Sequence, residues 1–329
     1  MEYLLSDWLG TPLWMWLGFL LIVIALLALD LGVLHRKQRE IGVAESLALS
    51  GLYIALGLAF GGWLWWQQGA RAGLAYLTGF TIEKSLAIDN VFVIAMIFST
   101  FAIPRIYQHR VLFWGIVGVI VLRALMIGAG AALVERFEWL LYVFAAFLVF
   151  TGIKMWRNAE QPVDINSWRL LGWLKRHVPM TERLHGDRFW VKQTASDGRR
   201  TWFITPLFLA LLTIEFADIV FAVDSVPAIF AITTDPYLVY TSNIFAILGL
   251  RALYFALAAM VERFHYLKYA LSLLLVFIGS KIFVADLLGI EKIPPALSLG
   301  VSFAILAGGI MWSLRATAPA VAMSEEGGK

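Results

Sequence analysis

The sequence predicts an all-α polytopic membrane protein, and three observations carry that prediction. Of the 329 residues, 60% are hydrophobic and only 15% are charged, where a soluble domain carries about 25% charge. The apolar residues gather into nine runs of membrane-crossing length, each close to the roughly 20 residues that a bilayer core demands of a helix. Two of those runs hold the same pattern of carboxylates, Glu83 with Asp89 and Asp218 with Asp224. An ionisable side chain at the centre of a membrane helix costs on the order of 2.5–3.5 kcal/mol. A chain that keeps several at that depth is using them.

Taken in order, the expected spans are 12–34, 43–66, 72–99, 110–133, 138–156, 203–232, 238–260, 266–285 and 294–314. Met1-Glu2-Tyr3 offers no basic flank and the first run is too long for a signal sequence, so it reads as a retained span. Fourteen tryptophans suit the aromatic belts of a bilayer interface. The absence of cysteine excludes disulfides, thiolate metal sites and cysteine catalysis. The basic pI near 9.1 reflects loop residues that set orientation, not nucleic-acid binding. Arg36, Lys37, Arg39, Arg105, Arg110, most of 157–202, Arg263, Lys268 and Arg315 fall in one set of loops. The opposite set holds only Arg71, Arg136, Lys292 and Lys281. The richer set is expected to be cytoplasmic, with the N-terminus outside and the C-terminus inside.

The carboxylate pattern belongs to a longer repeat. Glu83-Lys84-Ser85-Leu86-Ala87-Ile88-Asp89-Asn90-Val91 aligns with Asp218-Ile219-Val220-Phe221-Ala222-Val223-Asp224-Ser225-Val226. Downstream, Leu122-Arg123-Ala124-Leu125 answers Leu250-Arg251-Ala252-Leu253, and Glu135-Arg136-Phe137 answers Glu262-Arg263-Phe264. Phe150-Thr151-Gly152-Ile153-Lys154 answers Phe277-Ile278-Gly279-Ser280-Lys281. Each unit has three spans, so the second enters the membrane from the opposite side: an inverted repeat, the arrangement that sets transporter sites at the midplane. The organisation expected is two N-terminal helices (1–70), a first repeat (71–157), a cytoplasmic loop (158–202), a second repeat (203–285), and a last helix with its tail (286–329).

The loop carries two local signals. Trp168, Leu170, Leu171, Trp173 and Leu174 with Arg169, Lys175 and Arg176 predict a short interfacial helix. Arg188–Lys192 and Thr201–Ile204 around Asp197-Gly198 predict a hairpin. The tail from Met323 to Lys329 is expected to be unstructured.

The candidate acids within the spans are Asp30, Glu83, Asp89, Glu215, Asp218 and Asp224, and the cations at membrane depth are Lys84, Arg123 and Arg251. Pairing between helices is the plainer role, yet it leaves carboxylates over. The surplus must be protonated, hydrated or bound to a cation. Residues six apart on a helix differ by about 240° and about 9 Å, so Glu83 and Asp89 cannot chelate one ion from a straight helix. Either the helix breaks, or the site takes one acid from each repeat. Pro227 predicts a break in span six. Carbonyls freed there, with Asn90 and Ser225, would complete an oxygen set for a hard cation. All five histidines (His35, His109, His177, His185, His265) lie in loops or at span ends, which disfavours zinc and copper and leaves manganese, magnesium or calcium. Met96 near the first motif reads as packing.

At these two acidic motifs the chain resembles the TerC family, nearest its bacterial Alx branch, from about Asp30 to Trp312. The resemblance implies an inner-membrane exporter of manganese(II) with an older association with tellurite resistance. Carried over by motif, Glu83, Asp89, Asp218 and Asp224 would bind the ion, with Asn90, Ser225 and Glu215 beside them. The residues alone say only an oxygen-liganded divalent cation. Calcium or proton transport and a membrane scaffold in stress response remain alternatives. No nucleotide loop, Ser–His–Asp set or HExxH is found, so an enzyme is not expected, nor any resident cofactor; export would be coupled to an ion gradient. The expected partners are the transported ion and the bilayer, and oligomeric state is not encoded legibly.

Overall fold

The computed structural model describes residues 7–29, 43–137, 139–158, 172, 178–181, 183–194, 200–257, 267–289 and 293–326. The expectations placed on Asp30, on the interfacial helix around Trp168–Arg176, on Asp197-Gly198, and on Glu262-Arg263-Phe264 lie outside these residues. The described chain is mostly helical, with two short hairpins and an irregular stretch ahead of the second. In the first, β1 (Asp7–Trp8) pairs with β2 (Thr11–Pro12) across a turn in which Leu9 and Gly10 both have positive φ.

The helices are α1 (Leu13–Leu29), α2 (Val43–Gln68), α3 (Ala70–Thr100), α4 (Arg105–Arg136), α5 (Leu140–Arg157), α6 (Pro206–Phe230), α7 (Pro236–Leu248), α8 (Leu250–Leu257), α9 (Leu267–Leu287) and α10 (Pro295–Glu326). Among the described residues, seven stretches are long and apolar enough to cross a membrane: α2, α4, α5, α6, α7 with α8, α9 and α10. The seventeen residues of α1 and α3, which carries Glu83, Lys84 and Asp89, are not among them. The chain is a helical polytopic membrane protein. Proline marks several starts, where a missing N–H costs nothing: Pro206 and Pro236 open α6 and α7, and Pro104 precedes α4.

Span six differs from expectation. Helix α6 runs unbroken through Pro227 to Phe230, over 25 residues. Pro227 lies in the last turn, where little helix remains to kink, and its neighbours Ser225, Val226 and Ala228 are buried and held by packing. The expected excess length disappears because Phe203 and Ile204 belong to the second hairpin and Ala231 to the following turn. The helix break falls instead at Gly249, between α7 and α8, in the most enclosed of the seven crossings. The tail also departs from expectation, since α10 continues past Met323 to Glu326.

Directions follow from the contacts. On the α3–α7 seam, a methyl at Gly79 would meet Ser242 and Lys84 reaches Ala246, so the two helices run the same way. On the α4–α6 seam, Gly118 faces Glu215 and Gly130 faces Phe230, again in parallel. Helices α5 and α9 run antiparallel and meet backbone to backbone: a methyl at Gly152 would lie 2.7 Å from the Ser272 carbonyl oxygen, and one at Gly279 2.5 Å from that of Ala145. Only glycine permits that approach. The aromatic core joins α1, α2 and α7, with Trp16 and Tyr237 edge to face at 5.0 Å between centroids. The second hairpin, β3 (Trp190–Thr194) with β4 (Arg200–Ile204), is antiparallel as its sequence predicts. It docks on the start of α4 through an Arg110–Asp187 ion pair and Arg110 over the Phe189 ring.

Candidate functional site

Three helices meet at one buried guanidinium. Arg123, in the middle of α4, has no solvent exposure. Its Nε and Nη2 donate to the two carboxylate oxygens of Asp218 on α6, at 3.1 and 3.0 Å. Its Nη1 donates to Glu83 Oε1 on α3 at 2.9 Å and to Ser225 Oγ at 2.6 Å. The fork geometry of arginine suits the bidentate grip on Asp218. Burying such charges is tolerable only when they are paired and hydrogen-bonded, and here one cation serves two carboxylates. With both acids ionised, the cluster keeps one negative charge.

The surplus has a location. Glu83 Oε2 is buried with no hydrogen-bond partner among the described residues, and so is Glu215 Oε2. Glu215 sits one turn before Asp218 on α6 and presses against Gly118 of α4, where a methyl would lie 2.1 Å from Glu215 Oε1. The missing side chain at Gly118 is what lets that carboxylate lie between the helices. Among the described residues, no three histidine or acidic side chains gather closely enough to hold a metal ion. Asp89 lies on α3 and Asp224 on α6, but their side chains are outside the described atoms. Asn90 and Ser225 are both buried, Asn90 at 7% exposure and Ser225 on Arg123.

The three cations therefore have different fates. Lys84 donates to the Ala246 carbonyl at 3.0 Å, at the end of α7 next to the Gly249 break. A cation there complements the negative end of the helix dipole. Arg251, the counterpart of Arg123 in the repeat, is buried and meets His109 at 3.2 Å between Nη1 and Nε2. Beside it Tyr254 donates to Gln108, which donates to the Ile103 carbonyl. Helix α3 stays unbroken between Glu83 and Asp89, so a shared site at this level draws one acid from each motif. The first acids, Glu83 and Asp218, are the ones brought together. Sequence reasoning missed Gly118 and Asn243, a fully buried amide on α7 whose oxygen and nitrogen both lack partners among the described residues. Neutral polar residues are common in membrane helices, so the sequence signal at either was weak.

Residues 68–320 match the family described as "Integral membrane protein TerC family". The chain belongs to the TerC family. It is 48% identical over 305 residues to a Myxococcus xanthus protein called "Uncharacterized membrane protein STKORF319", covering 93% of each chain. It is 46% identical over 306 residues to Salmonella typhi and Escherichia coli (strain K12) proteins, each called "Putative membrane-bound redox modulator Alx", covering 90% of this chain and 92% of theirs. No solved structure matches it.

Proposed function

We propose that this TerC-family protein is a secondary transporter exporting manganese(II) from the cytoplasm through an acidic site at membrane depth, with protons moving the other way. The observation that carries the reading is the convergence of Glu83 and Asp218, one from each motif, on the buried Arg123 with carboxylate to spare. Arg123 occupies only one oxygen of Glu83 and leaves Oε2 without a partner. Such orphaned buried oxygens are costly unless something occupies them in the working cycle. Asp89 and Asp224 are the proposed primary ligands, with Asn90 and Ser225 beside them; Glu83, Glu215 and Asp218 complete the set or relay protons. Clustered carboxylates take up protons when the ion leaves, which couples release to proton uptake. Oxygen-only donors favour a hard cation; manganese in particular rests on the family resemblance.

The inverted-repeat reading belongs to the same proposal, with repeats at 71–157 and 203–285, the N-terminus outside and the C-terminus in the cytoplasm. The paired packing supports it: α3 with α7 and α4 with α6 run parallel, while the matched glycines Gly152 and Gly279 face each other's helices. Rocking of one repeat against the other would open the site to each side in turn. The relatives' name suggests redox modulation; with no cysteine in the chain, thiol chemistry cannot supply it, and an effect through cellular metal is the consistent route.

The test is transport in reconstituted liposomes under a proton gradient. Wild type is expected to move Mn²⁺ at the expense of that gradient and to move Zn²⁺ poorly. Asp89→Asn and Asp224→Asn, which keep volume and remove charge, are each expected to abolish flux while the protein remains folded. Flux surviving in the double variant would mean these acids only pair helices.

A further inference from the structure

Asn243 is a fully buried side chain whose amide oxygen and nitrogen both stand without a partner among the described residues. A buried amide that makes no hydrogen bond lowers stability, so its retention at this place asks for a reason. Its neighbours locate it. Three residues earlier on α7, Tyr240 reaches the Ile120 carbonyl of α4 at 3.5 Å. Three residues later, the Ala246 carbonyl accepts the Lys84 ammonium of α3. Residues three apart share a helix face, so Asn243 lies on the stripe of α7 that faces α3 and α4. On α3, the stretch between Gly79, which abuts Ser242, and Lys84 contains Glu83. On α4, Ile120 lies between Gly118, against Glu215, and Arg123, on Glu83 and Asp218. Glu83 and Glu215 each carry an orphaned Oε2.

We infer that Asn243 is a further ligand of the transported divalent cation, giving its amide oxygen from the α7 wall. This rests on the transport reading above and adds a neutral donor to a set otherwise made of carboxylates. Affinity of an oxygen site scales with its number of ligand charges. An amide raises coordination without another charge, which keeps binding weak enough for release.

The experiment is a MnCl₂ titration of thermal stability in the purified full-length protein. Asn243→Leu keeps the shape and removes both orphaned atoms. As a ligand, Asn243 predicts that this variant is at least as stable as wild type without manganese, yet needs at least about tenfold more MnCl₂ for its half-maximal shift. A titration identical to wild type overturns the inference and leaves the transport reading standing. A wild type that shows no manganese-dependent shift overturns the transport reading itself. Asn243→Asp covers the case in which the leucine variant fails to fold: one added charge is expected to lower the half-maximal concentration about tenfold, and an unchanged value overturns the assignment.

Discussion

Helix α4 and the pair α7–α8 carry the same landmark, Leu-Arg-Ala-Leu at 122–125 and 250–253, yet use it differently. Helix α4 is continuous over 32 residues, and its Arg123 points into the middle of the bundle, gripping both first acids. The counterpart crossing is broken at Gly249, two residues before Arg251, which meets His109 near the start of α4. Even the residue five before each arginine differs: Gly118 admits a carboxylate between helices, while Ala246 presents its carbonyl to Lys84. An identical tetrapeptide thus acquires its role from helix continuity. The unbroken helix holds the charge at the centre, and the broken one carries it toward an end.

The sharpest way to break this comparison is to neutralise each arginine in turn. Arg123→Gln leaves Glu83 and Asp218 buried without their cation, and removing one partner of a buried pair costs about 3–5 kcal/mol. Arg251→Gln is expected to cost less, near the ~1.5–3 kcal/mol of a hydrogen bond involving a charged group. Thermal unfolding in detergent, followed by size exclusion, ranks the two. Adding Glu83→Gln and Asp218→Asn to Arg123→Gln should recover much of the loss, since the uncompensated charges are then gone. Equal losses at both arginines would show that the repeat, not the break, sets their roles.

Gly118 gives a smaller effect and tests the same helix. Gly118→Ala places a methyl on Glu215 Oε1, and overpacking of this kind costs roughly 1–3 kcal/mol. Gly115→Ala, whose nearest neighbour would be 3.7 Å away at Ile214, should be nearly silent. Thermal stability of the two variants decides; matching losses would mean that α4 tolerates no methyl on this face, whatever Glu215 does.

Much of this molecule was legible because membrane helices follow apolar runs and hairpins follow alternation. The starts at Pro206 and Pro236 and the strands Trp190–Thr194 and Arg200–Ile204 lie close to where local chemistry puts them. Helical spacing left two readings open, a broken helix or one acid from each repeat, and did not say that Glu83 and Asp218 would be the two that meet at Arg123. Which cation holds which acid was not legible. The candidate acids and cations allow many pairings, and the choice depends on helix directions and on the Gly249 break. Pro227 misled because its effect depends on the length of helix beyond it, three residues here, which only the end at Phe230 reveals. Asn243 and Gly118 were invisible for a related reason: an amide or a glycine in an apolar run acquires meaning only from the facing helix.

The smallest expected effect concerns how the two counterpart crossings begin. Helix α4 starts after Pro104, with no side-chain cap. Helix α7 starts after Asp235, whose carboxylate accepts from the Tyr237 and Leu238 amides at 2.9 and 3.3 Å. Burial lifts the Asp235 carboxyl above its ordinary range, and those two bonds pull it only part of the way back. A carboxyl with a higher pKa folded than unfolded stabilises the fold at low pH and loses that contribution as pH rises through the folded value. Asp235→Asn keeps a good cap and removes the charge, so it should unfold slightly later than wild type at pH 7. The difference should vanish below about pH 4, where the unfolded carboxyl is also protonated. Asp235→Ala, lacking any cap, should lose about 1 kcal/mol. Unfolding temperatures across that pH range check both variants. An Asp235→Asn variant less stable than wild type at pH 7 would show that α7 needs the full charge at its start.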